Sequence, residues 1–462
     1  MNLYLSAFMF LLGLTFLLRP ALTWIYHFWL GINSWQGGGQ IVVILALIAN
    51  LSILSIKNWM EYTGFVALFL LSFFALVTSF LVLIAEPMMR RVVGFCVEHY
   101  WFIAIPKLIV LWALGFWLFA WSYIGEVSEI ENCVPDDKLE VLCNISDAED
   151  LVATPDNRFL IAPEFGGIGP YSPPERRRTG RIMMVDLATE KAEPAHMEFG
   201  DNVWGDRSCL RDAAMLFSPH GIDLKQRDDG LWHLAVINHF PKETLEMFEL
   251  VQEKDKWKLI WRGCVSVPRV NYLNEVSLSS DGSFFVSHMY KPEFTLNEAL
   301  VASLAKNNTG YVMRWDSEIG FAQVPGTEGA HPNGVTYDET RGILFVAHTF
   351  GDRIDAVDVL TGNIVSSFDV NSPDNLVLKD DALWITSWDH SIPDMVICEG
   401  KTPCALPFSV YKLEPNSLKP IKNWSFNHTI IGLPTVALPI NGGVWIGAIH
   451  SDRLAYFRLE NF

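Results

Sequence analysis

The chain has 462 residues, of which half are hydrophobic, and a formal net charge of −18. This length exceeds that of one small domain. The strong negative charge argues against a nucleic-acid partner, which would require a basic face. The hydrophobic residues concentrate near the amino terminus, so we divide the chain into an apolar part, residues 1–125, and a mixed part, residues 126–462.

Long apolar runs follow one another in the first part, and the last three are long enough to span a bilayer. A cleaved signal peptide is disfavoured because no basic region precedes the first run and further apolar runs follow it. We therefore expect about four transmembrane helices, in the segments Leu3–Leu18 (continued, after Arg19-Pro20, by Ala21–Leu30), Ile41–Ile56, Phe65–Ile84 and Trp101–Ile124.

Basic residues near the ends of these runs predict their orientation. Arg90 and Arg91 lie between the third and fourth runs, so the positive-inside tendency assigns the 86–100 loop to the cytoplasm. The fourth helix would then carry everything after about Gly125 to the extracytoplasmic side, as part of a multi-pass membrane protein.

The cysteines and glycosylation patterns of the second part agree with an exported domain. Six cysteines follow residue 125, and the pairs Cys133/Cys143 and Cys398/Cys404 are close enough in sequence to close short loops. Oxidising compartments permit disulfides, although sequence alone does not give the pairing. Asn-x-Ser/Thr acceptor patterns, which predict a glycoprotein in a secretory pathway, begin at Asn144, Asn307, Asn423 and Asn427.

Six segments of the second part repeat one short pattern, in which a polar or turn residue precedes an apolar–x–apolar strand start. Repeats of several short strands predict a β-propeller, here all-β with six blades. Because the first strand of each blade lines the central channel, five of the segments bring Glu, Asp, Asn or His side chains to one mouth of one tunnel, where they could form an oxygen-rich metal site. The segments begin at Glu149, His220, Asn274, Asn333, Asp374 and Pro434.

One blade can be read directly from residues 342–370. Alternating strands are predicted at Ile343–Ala347, Arg353–Asp358 and Ile364–Asp369, with a hairpin turn at Thr361-Gly362. No long stretch beyond residue 125 shows helical periodicity. There is also no Gly-x-Ser-x-Gly elbow and no Walker-type phosphate loop, which disfavours a serine hydrolase and a nucleotide-binding enzyme.

The stretch Ser218-Pro219-His220-Gly221-Ile222, followed by Leu234–His239, resembles the signature region of the paraoxonase/arylesterase family. The members of this family are six-bladed propellers related to gluconolactonase-like lactonases. The resemblance covers roughly residues 130–462, and its specificity comes from the ordered set of polar pairs at equivalent repeat positions.

The resemblance implies two calcium ions in the tunnel, and the oxygen-rich ligand set suits calcium. At one ligand position, Glu275, the family usually has Asp. The implied catalytic ion is bound by Glu149, Asn274, Asn333, Asp374 and Asn375, and the structural ion by Asp150, the backbone carbonyl of Ile222 and Glu275.

The resemblance also implies that His220 takes a proton from water and that His239 supports it, while calcium polarises an ester or lactone carbonyl. The expected function is a membrane-anchored, calcium-dependent arylesterase or lactonase. A site next to a bilayer favours lipophilic substrates such as long-chain acyl lactones.

Two alternatives stay open. The first is a paraoxonase-like membrane chaperone or assembly factor, in which the calcium is structural and the helices bind a membrane-protein client. The second is a sugar-lactone or glucosidic-alkaloid enzyme on a related propeller, which the pair His220 and His239 disfavours.

The chain departs from the family in two respects. Typical paraoxonases have a single hydrophobic amino terminus, and they close the propeller with a disulfide to the last strand. The final segment here, Asp452–Phe462, contains no cysteine. Closure must therefore depend on strand pairing alone, or on a different bridge that uses Cys133 or Cys143.

Overall fold

The computed structural model describes residues 38–54, 98–122, 128–129, 132–166, 179–211, 217–389, 404–427 and 430–459, with short pieces between residues 9 and 95. The chain divides into two compact units, Met1–Ile124 and Gly125–Phe462.

The described residues of the first unit include two long apolar helices, α1 (Gly38–Leu54) and α2 (Tyr100–Ser122), at the second and fourth of the predicted membrane segments. Among the described residues, one helix is long and apolar enough to cross a membrane, over Tyr100–Trp117 of α2. The first and third segments lie almost wholly outside the described residues, so a domain of four membrane helices stays a prediction.

The described residues of the second unit form six sheets of four or five strands and one two-stranded sheet, so the predicted six-bladed propeller is confirmed. The strands are β1 (Ser128–Glu129), β2 (Glu140–Cys143), β3 (Val152–Ala153), β4 (Phe159–Glu164), β5 (Arg181–Asp186), β6 (Lys191–Pro194), β7 (Met197–Phe199), β8 (Pro219–Gln226), β9 (Trp232–Asn238), β10 (Thr244–Glu253), β11 (Lys256–Ser266), β12 (Tyr272–Leu278), β13 (Phe284–Tyr290), β14 (Tyr311–Asp316), β15 (Gly320–Gln323), β16 (Pro332–Asp338), β17 (Ile343–His348), β18 (Arg353–Asp358), β19 (Ile364–Asp369), β20 (Pro373–Lys379), β21 (Ala382–Trp388), β22 (Cys404–Ala405), β23 (Phe408–Leu413), β24 (Pro420–Phe426), β25 (Leu433–Ile440), β26 (Gly443–Ile449) and β27 (Arg453–Arg458).

Each blade is an antiparallel sheet whose first strand in sequence lies at one edge. Blade 1 is β3–β6, blade 2 is β8–β11 with β7 added in parallel to β11, blade 3 is β12–β15, and blade 4 is β16–β19. Blade 5 is β20, β21, β23 and β24, and blade 6 is β25–β27 completed by β2. The small pair β1 and β22 lies outside the blades.

Strand pairing closes the ring. β2, from the start of the unit, pairs antiparallel with β27, from its end, so that Cys143 lies opposite Arg453. The buried Arg453 also donates to the carbonyl of Asn132 at 2.9 Å, and Cys133 and Cys143 form a disulfide beside this contact. The bridge therefore fastens the chain that enters the propeller to its closing strand.

A second disulfide, Cys209–Cys264, was not predicted as a pair; it fastens the loop after β7 to the outer strand β11. Cys398 lies outside the described residues, so its predicted pairing with Cys404 stays a prediction.

The hydrophobic core lies between neighbouring blades. Between blades 5 and 6, for example, Trp384 stacks on Trp424 with ring centroids 5.5 Å apart, and Phe457 packs against Trp424. Burying an aliphatic or aromatic side chain of this size stabilises a fold by about 1.5–3 kcal/mol. Consecutive residues of the middle strands β9, β13, β17 and β21 are buried, so both faces of these strands pack against neighbouring blades.

The second unit, whose sequence shows no long helical periodicity, also contains a short helix of 10 residues. Between β13 and β14 lies helix α3 (Leu296–Ala305), which begins at Thr295 and ends at Lys306 in the left-handed region. The Thr295 side chain accepts from the backbone N–H of Glu298, and the Glu298 side chain accepts in return from the backbone N–H of Thr295. This reciprocal capping box is a local helix start signal that a search for long periodicity misses.

Candidate metal centre and histidine relay at the tunnel mouth

The polar pairs of the repeat lie at a recurring irregularity of the inner strands. In β8, β12, β16 and β20 the pairing with the next strand shifts by one residue, so that two residues of the inner strand face one of its neighbour. Such a bulge re-aims side chains, which explains how consecutive residues can both contribute to one site. The pairs at these bulges are His220-Gly221, Asn274-Glu275, Asn333-Gly334 and Asp374-Asn375.

Two glycines let adjacent inner strands approach closely at the same level. A Cβ on Gly221 would lie 2.2 Å from the carbonyl oxygen of Asn274 and 3.0 Å from Oε2 of Glu275. A Cβ on Gly334 would lie 2.4 Å from the carbonyl oxygen of Asp374. Neither position has room for a side chain. Glycine therefore lets each inner strand lie directly against the polar pair of the next one, Asn274-Glu275 or Asp374-Asn375.

The side chains predicted to bind metal have buried oxygens with no hydrogen-bond partner. Buried polar atoms in proteins are nearly always paired, so such atoms call for an explanation. The oxygens are Oε2 of Glu149, Oδ1 of Asn274, Oε2 of Glu275, Oδ1 of Asn333, Oδ1 of Asp374 and Oδ1 of Asn375.

Hydrogen bonds between these side chains show that they lie together. Asn375 Nδ2 donates to Oε1 of Glu149 at 3.1 Å, which leaves the amide oxygen of Asn375 free to accept. Asn333 donates to Asp374 in the same way. From the sixth inner strand, the Thr435 hydroxyl donates to the backbone carbonyl of Glu149. The amide nitrogens of Asn375 and Asn333 thus donate to neighbouring carboxylates, while their amide oxygens have no hydrogen-bond partner.

The carboxylates of this set repel one another. Burial, and then the neighbouring Glu149, raise the pKa of Asp374 well above its usual value. The same two causes, in the same order, raise the pKa of Asp150. For Glu275, burial raises the pKa, followed by the charges of Asp150 and Glu149. Several buried carboxyl groups with unpaired oxygens fit a cation, which would offset their repulsion and desolvation.

The ligands assigned to the structural ion are adjacent to this set. Asp150 accepts from the backbone N–H of Leu151 and of Ile222, both at 2.7 Å, and Glu275 accepts from Val276 at 2.8 Å. Glu275 thus curls back onto its own strand beside Gly221. This arrangement accommodates the methylene by which Glu exceeds the usual Asp and leaves Oε2 unpaired.

The donor set combines carboxylates with amides. Within the part of the chain that the structure describes, no three His, Cys, Asp or Glu side chains group in a way that could hold a metal by themselves. A metal shell at this place would therefore need the amide oxygens of Asn274, Asn333 and Asn375 as well, and hard oxygens of this mixed kind suit calcium.

A chain of polar contacts runs from Glu149, one of the predicted metal ligands, into blade 2. His220 Nε2 lies 3.6 Å from Oε1 of Glu149, and His220 Nδ1 lies 2.8 Å from His239 Nε2. The other nitrogen of His239, Nδ1, lies 2.9 Å from Oε2 of Glu243. We call these three side chains, Glu243, His239 and His220, the histidine relay. Burial lowers the pKa of His239, and the charge of Glu243 opposes that effect.

Aromatic rings hold both imidazoles of the relay. Phe165 stacks on His220 with ring centroids 4.1 Å apart, and Tyr272 stacks on His239 at 4.4 Å. Sequence reasoning missed Phe165, Tyr272 and Glu243, because none of them belongs to the repeated pattern. The only sequence signal for Glu243 is its position four residues after His239.

The sequence of the propeller matches a known protein family. A family model described as arylesterase matches residues 141–445, well over half of the chain. The chain belongs to the arylesterase family. A comparison with curated proteins finds no match.

Solved structures similar to this arylesterase-family chain include three with TM-scores of 0.37 to 0.41. A luciferin-regenerating enzyme has TM-score 0.41 and 11% identity, over 69% of this chain and 94% of that one. A putative oxidoreductase (glucose dehydrogenase) from Thermus thermophilus has TM-score 0.39 and 11% identity, over 69% and 99%. The calcium-binding protein regucalcin from Agrobacterium tumefaciens has TM-score 0.37 and 10% identity, over 67% and 88%. Likenesses this weak carry no argument about the present chain.

Proposed function

We propose that this chain is a membrane-anchored, calcium-dependent hydrolase of carboxylic esters or lactones. The observation that carries the proposal is the set of six buried, unpaired oxygens at one end of the tunnel, next to the histidine relay. The family supplies the class of reaction, and these residues supply the groups that such a reaction needs.

Two calcium ions would be held by the residues already described. Glu149, Asn274, Asn333, Asp374 and Asn375 would bind the catalytic ion, with Asp150, the Ile222 carbonyl and Glu275 at the structural one. The carboxylates of Glu149 and Asp374 match the charge of one divalent ion, and the amides add neutral oxygens. When bound, calcium supplies polarisation of the substrate carbonyl and stabilisation of the charge that develops on its oxygen.

The relay moves the proton. His220 Nε2 is the relay nitrogen nearest to the metal ligands, at 3.6 Å from Glu149. A neutral imidazole there takes a proton from a water molecule as that water attacks the ester or lactone carbonyl. His239 shares the positive charge through the 2.8 Å hydrogen bond to His220 Nδ1. The proton then passes from His220 to the leaving alkoxide.

The apolar helices support a membrane anchor. Large side chains of α1 and α2 are exposed, among them Ile48 at 54%, Phe102 at 84% and Ile109 at 61%. Such surfaces are stable in contact with lipid chains. The two disulfides of the propeller agree with an oxidising, extracytoplasmic compartment. A site tethered near a bilayer favours lipophilic acyl lactones.

The first test measures hydrolysis of a panel of aryl esters and lactones by the full chain in membranes, before and after metal removal. We expect chelation to abolish turnover and added calcium to restore it. His220→Gln should remove turnover while calcium still raises the unfolding temperature. The control is His196→Gln, whose side chain is 70% exposed, far from the relay in sequence and free of its contacts.

Absence of turnover across the panel, together with a membrane protein that co-purifies stably with the chain, would instead support the chaperone alternative. A second measurement compares short-chain and long-chain acyl lactones in membranes. The anchor predicts faster turnover of the long-chain substrates, and equal rates would refute that part of the proposal.

A further inference from the structure

The carboxylate of Glu243 lies behind His239, on the side away from the metal ligands. Its Oε1 is 3.0 Å and its Oε2 is 2.9 Å from His239 Nδ1. Oε1 also accepts from the backbone N–H of Leu273 at 2.8 Å. Glu243 therefore joins the relay to the residue that directly precedes Asn274, one of the proposed ligands.

We propose that Glu243 is a positioning residue that fixes the tautomers of both histidines, so that the unprotonated nitrogen of His220 is the one facing the metal ligands. The effect on rate rests on the proposed function, whereas the tautomers themselves can be observed without any turnover.

The first step concerns His239. An ionised carboxylate has no hydrogen to donate, so it can only accept a hydrogen bond from the imidazole. His239 must therefore carry its proton on Nδ1, and in the neutral ring this leaves Nε2 as an acceptor.

In the second step, the tautomer of His239 determines the tautomer of His220. The acceptor Nε2 of His239 lies 2.8 Å from His220 Nδ1, so that nitrogen must carry the hydrogen. Neutral His220 then has a bare Nε2, the atom that lies 3.6 Å from Glu149. In the opposite tautomer, Nε2 of His220 would hold a hydrogen and could not take a proton from water.

The third step excludes rotation of the imidazole rings as an alternative to a change of tautomer. Phe165 stacks on His220 with an interplanar angle of 10°, and Tyr272 stacks on His239 with an angle of 8°. Both rings are buried, and a 180° flip of either imidazole would keep its stacking but would put a ring carbon in place of each bonded nitrogen and so break its hydrogen bonds. The tautomers, rather than the ring orientations, therefore decide which nitrogen accepts.

Glu243→Gln tests this directly, because the amide should reverse the relay. The Leu273 N–H requires an acceptor at the Oε1 position, so the amide oxygen takes that place. The amide nitrogen then occupies the position of Oε2, 2.9 Å from His239 Nδ1, and donates to it. Repulsion between this donor and a hydrogen on Nδ1 favours the tautomer of His239 with its hydrogen on Nε2, although the amide oxygen also lies 3.0 Å from Nδ1, and His220 would follow with its own hydrogen on Nε2.

The matched control is Glu249→Gln. Glu249 lies on β10, near Glu243 in sequence, is partly buried and pairs with Arg262, without contact to either histidine. It reports what the loss of a partly buried carboxylate does to folding alone.

Two readouts on the full chain in membranes separate the outcomes. Nitrogen-15 NMR of histidine-labelled protein should show His220 and His239 with Nδ1 protonated in the wild type and with Nε2 protonated in Glu243→Gln. In the same variant kcat should fall by about 100-fold, the lower end of what general-base catalysis contributes. KM and the calcium-induced rise in unfolding temperature should be unchanged, and Glu249→Gln should match the wild type in all of these.

The proposal is overturned if the wild-type histidines carry hydrogen on Nε2, or if Glu243→Gln leaves tautomers and kcat unaltered. It is also overturned if kcat falls only in parallel with the calcium-induced stabilisation, since Glu243 would then merely support the fold. A chain without esterase or lactonase turnover would refute the proposed function, while the spectra would still decide the tautomers.

Discussion

The two ends of the same six inner strands differ in how their polar groups are satisfied. At the end where the strands begin, oxygens of Asn274, Asn333 and Asp374 are buried without partners. At the other end Asp223 accepts from the backbone N–H of Leu278 at 2.7 Å, and Ser277 accepts from Tyr337 at 2.9 Å.

Both ends belong to the same inner strands. A cavity of about 260 Å³ lies at the second end, reaches Asp150 and Glu275, and is lined by residues of all six inner strands, including Ala153, Leu224, Ser277, Thr336, Val377 and Leu438. Burial alone therefore does not leave the oxygens of Asp223 and Ser277 on the inner strands without partners. Asp223 and Ser277 lie where the inner strands are regular and have partners, whereas the carboxyl and amide oxygens at the bulges have none, which supports the proposal that the site lies at the bulged end.

The largest expected effect is a difference in calcium affinity between variants of two buried carboxyl groups, one at each end of the inner strands. Asp374→Asn removes a charge from the proposed metal shell and should weaken calcium binding by more than about 100-fold, beyond the typical cost of losing an outer-shell partner. Asp223→Asn should change it by less than about tenfold, because the amide oxygen can still accept from Leu278. The calcium affinity of each variant can be measured from the dependence of its unfolding temperature on calcium concentration. Equal losses of affinity in the two variants would contradict the difference between the ends.

Metal removal should make the stability of the propeller depend on pH. Burial raises the pKa of Asp150, Glu275 and Asp374 above the unfolded values near 4. Their contribution to stability is then complete below pH 4 and is lost as pH rises through the raised folded values. The free energy of unfolding of metal-free protein should fall by about 1–3 kcal/mol between pH 5 and pH 8.

Urea unfolding at the two pH values, with and without calcium, would measure this loss. Saturating calcium should remove it, because the ion stabilises the charged carboxylates. A metal-free protein whose stability rises over the same interval would contradict the electrostatic account of the tunnel mouth.

Gly221→Ala should test the close approach of the inner strands. The new Cβ would lie 2.2 Å from the Asn274 carbonyl oxygen, so the two strands must separate. Overpacking of this kind costs about 1–3 kcal/mol, and here it should also displace Asn274 and Glu275. We expect loss of both unfolding free energy and calcium affinity, and stability loss with unchanged calcium affinity would disprove the link between this contact and the site.

A last expected effect, away from the proposed metal site, concerns His233, which lies on β9 next to Trp204. Burial lowers the pKa of His233 from 6.5 to about 3. The stability due to its neutral ring is present above pH 6.5 and is lost as pH falls toward 3. In His233→Phe the free energy of unfolding should depend less on pH in the acid range. Its slope should decrease by up to about 1.4 kcal/mol per pH unit, the value for one titrating proton. Unfolding free energies at pH 4 and pH 7 would show this, and an unaltered difference between them would exclude the assignment.

The sequence was sufficient for the features that depend on local patterns. The strands Arg353–Asp358 and Ile364–Asp369 were predicted to the residue, because alternation and a Thr361-Gly362 turn define them. The pairs Asn274-Glu275 and Asp374-Asn375 were also predicted, because the propeller repeat brings its equivalent positions to one channel.

Features that depend on tertiary contacts were not predictable in this way. Glu243 and Tyr272 acquire their positions from contacts with His239, and Phe165 reaches the relay from another blade. The pairing of Cys209 with Cys264 joins positions 55 residues apart. Helix α3 differs from these, since its capping box is a local signal in the sequence that long periodicity does not reveal.

The most direct test of the central claim is an anomalous X-ray difference map of crystals grown with calcium. The account predicts a peak at the tunnel mouth, about 2.3–2.6 Å from oxygens of Glu149, Asn274, Asn333 and Asp374, as calcium coordination requires. A map with no metal peak among these side chains, at calcium concentrations that support hydrolysis, would contradict it.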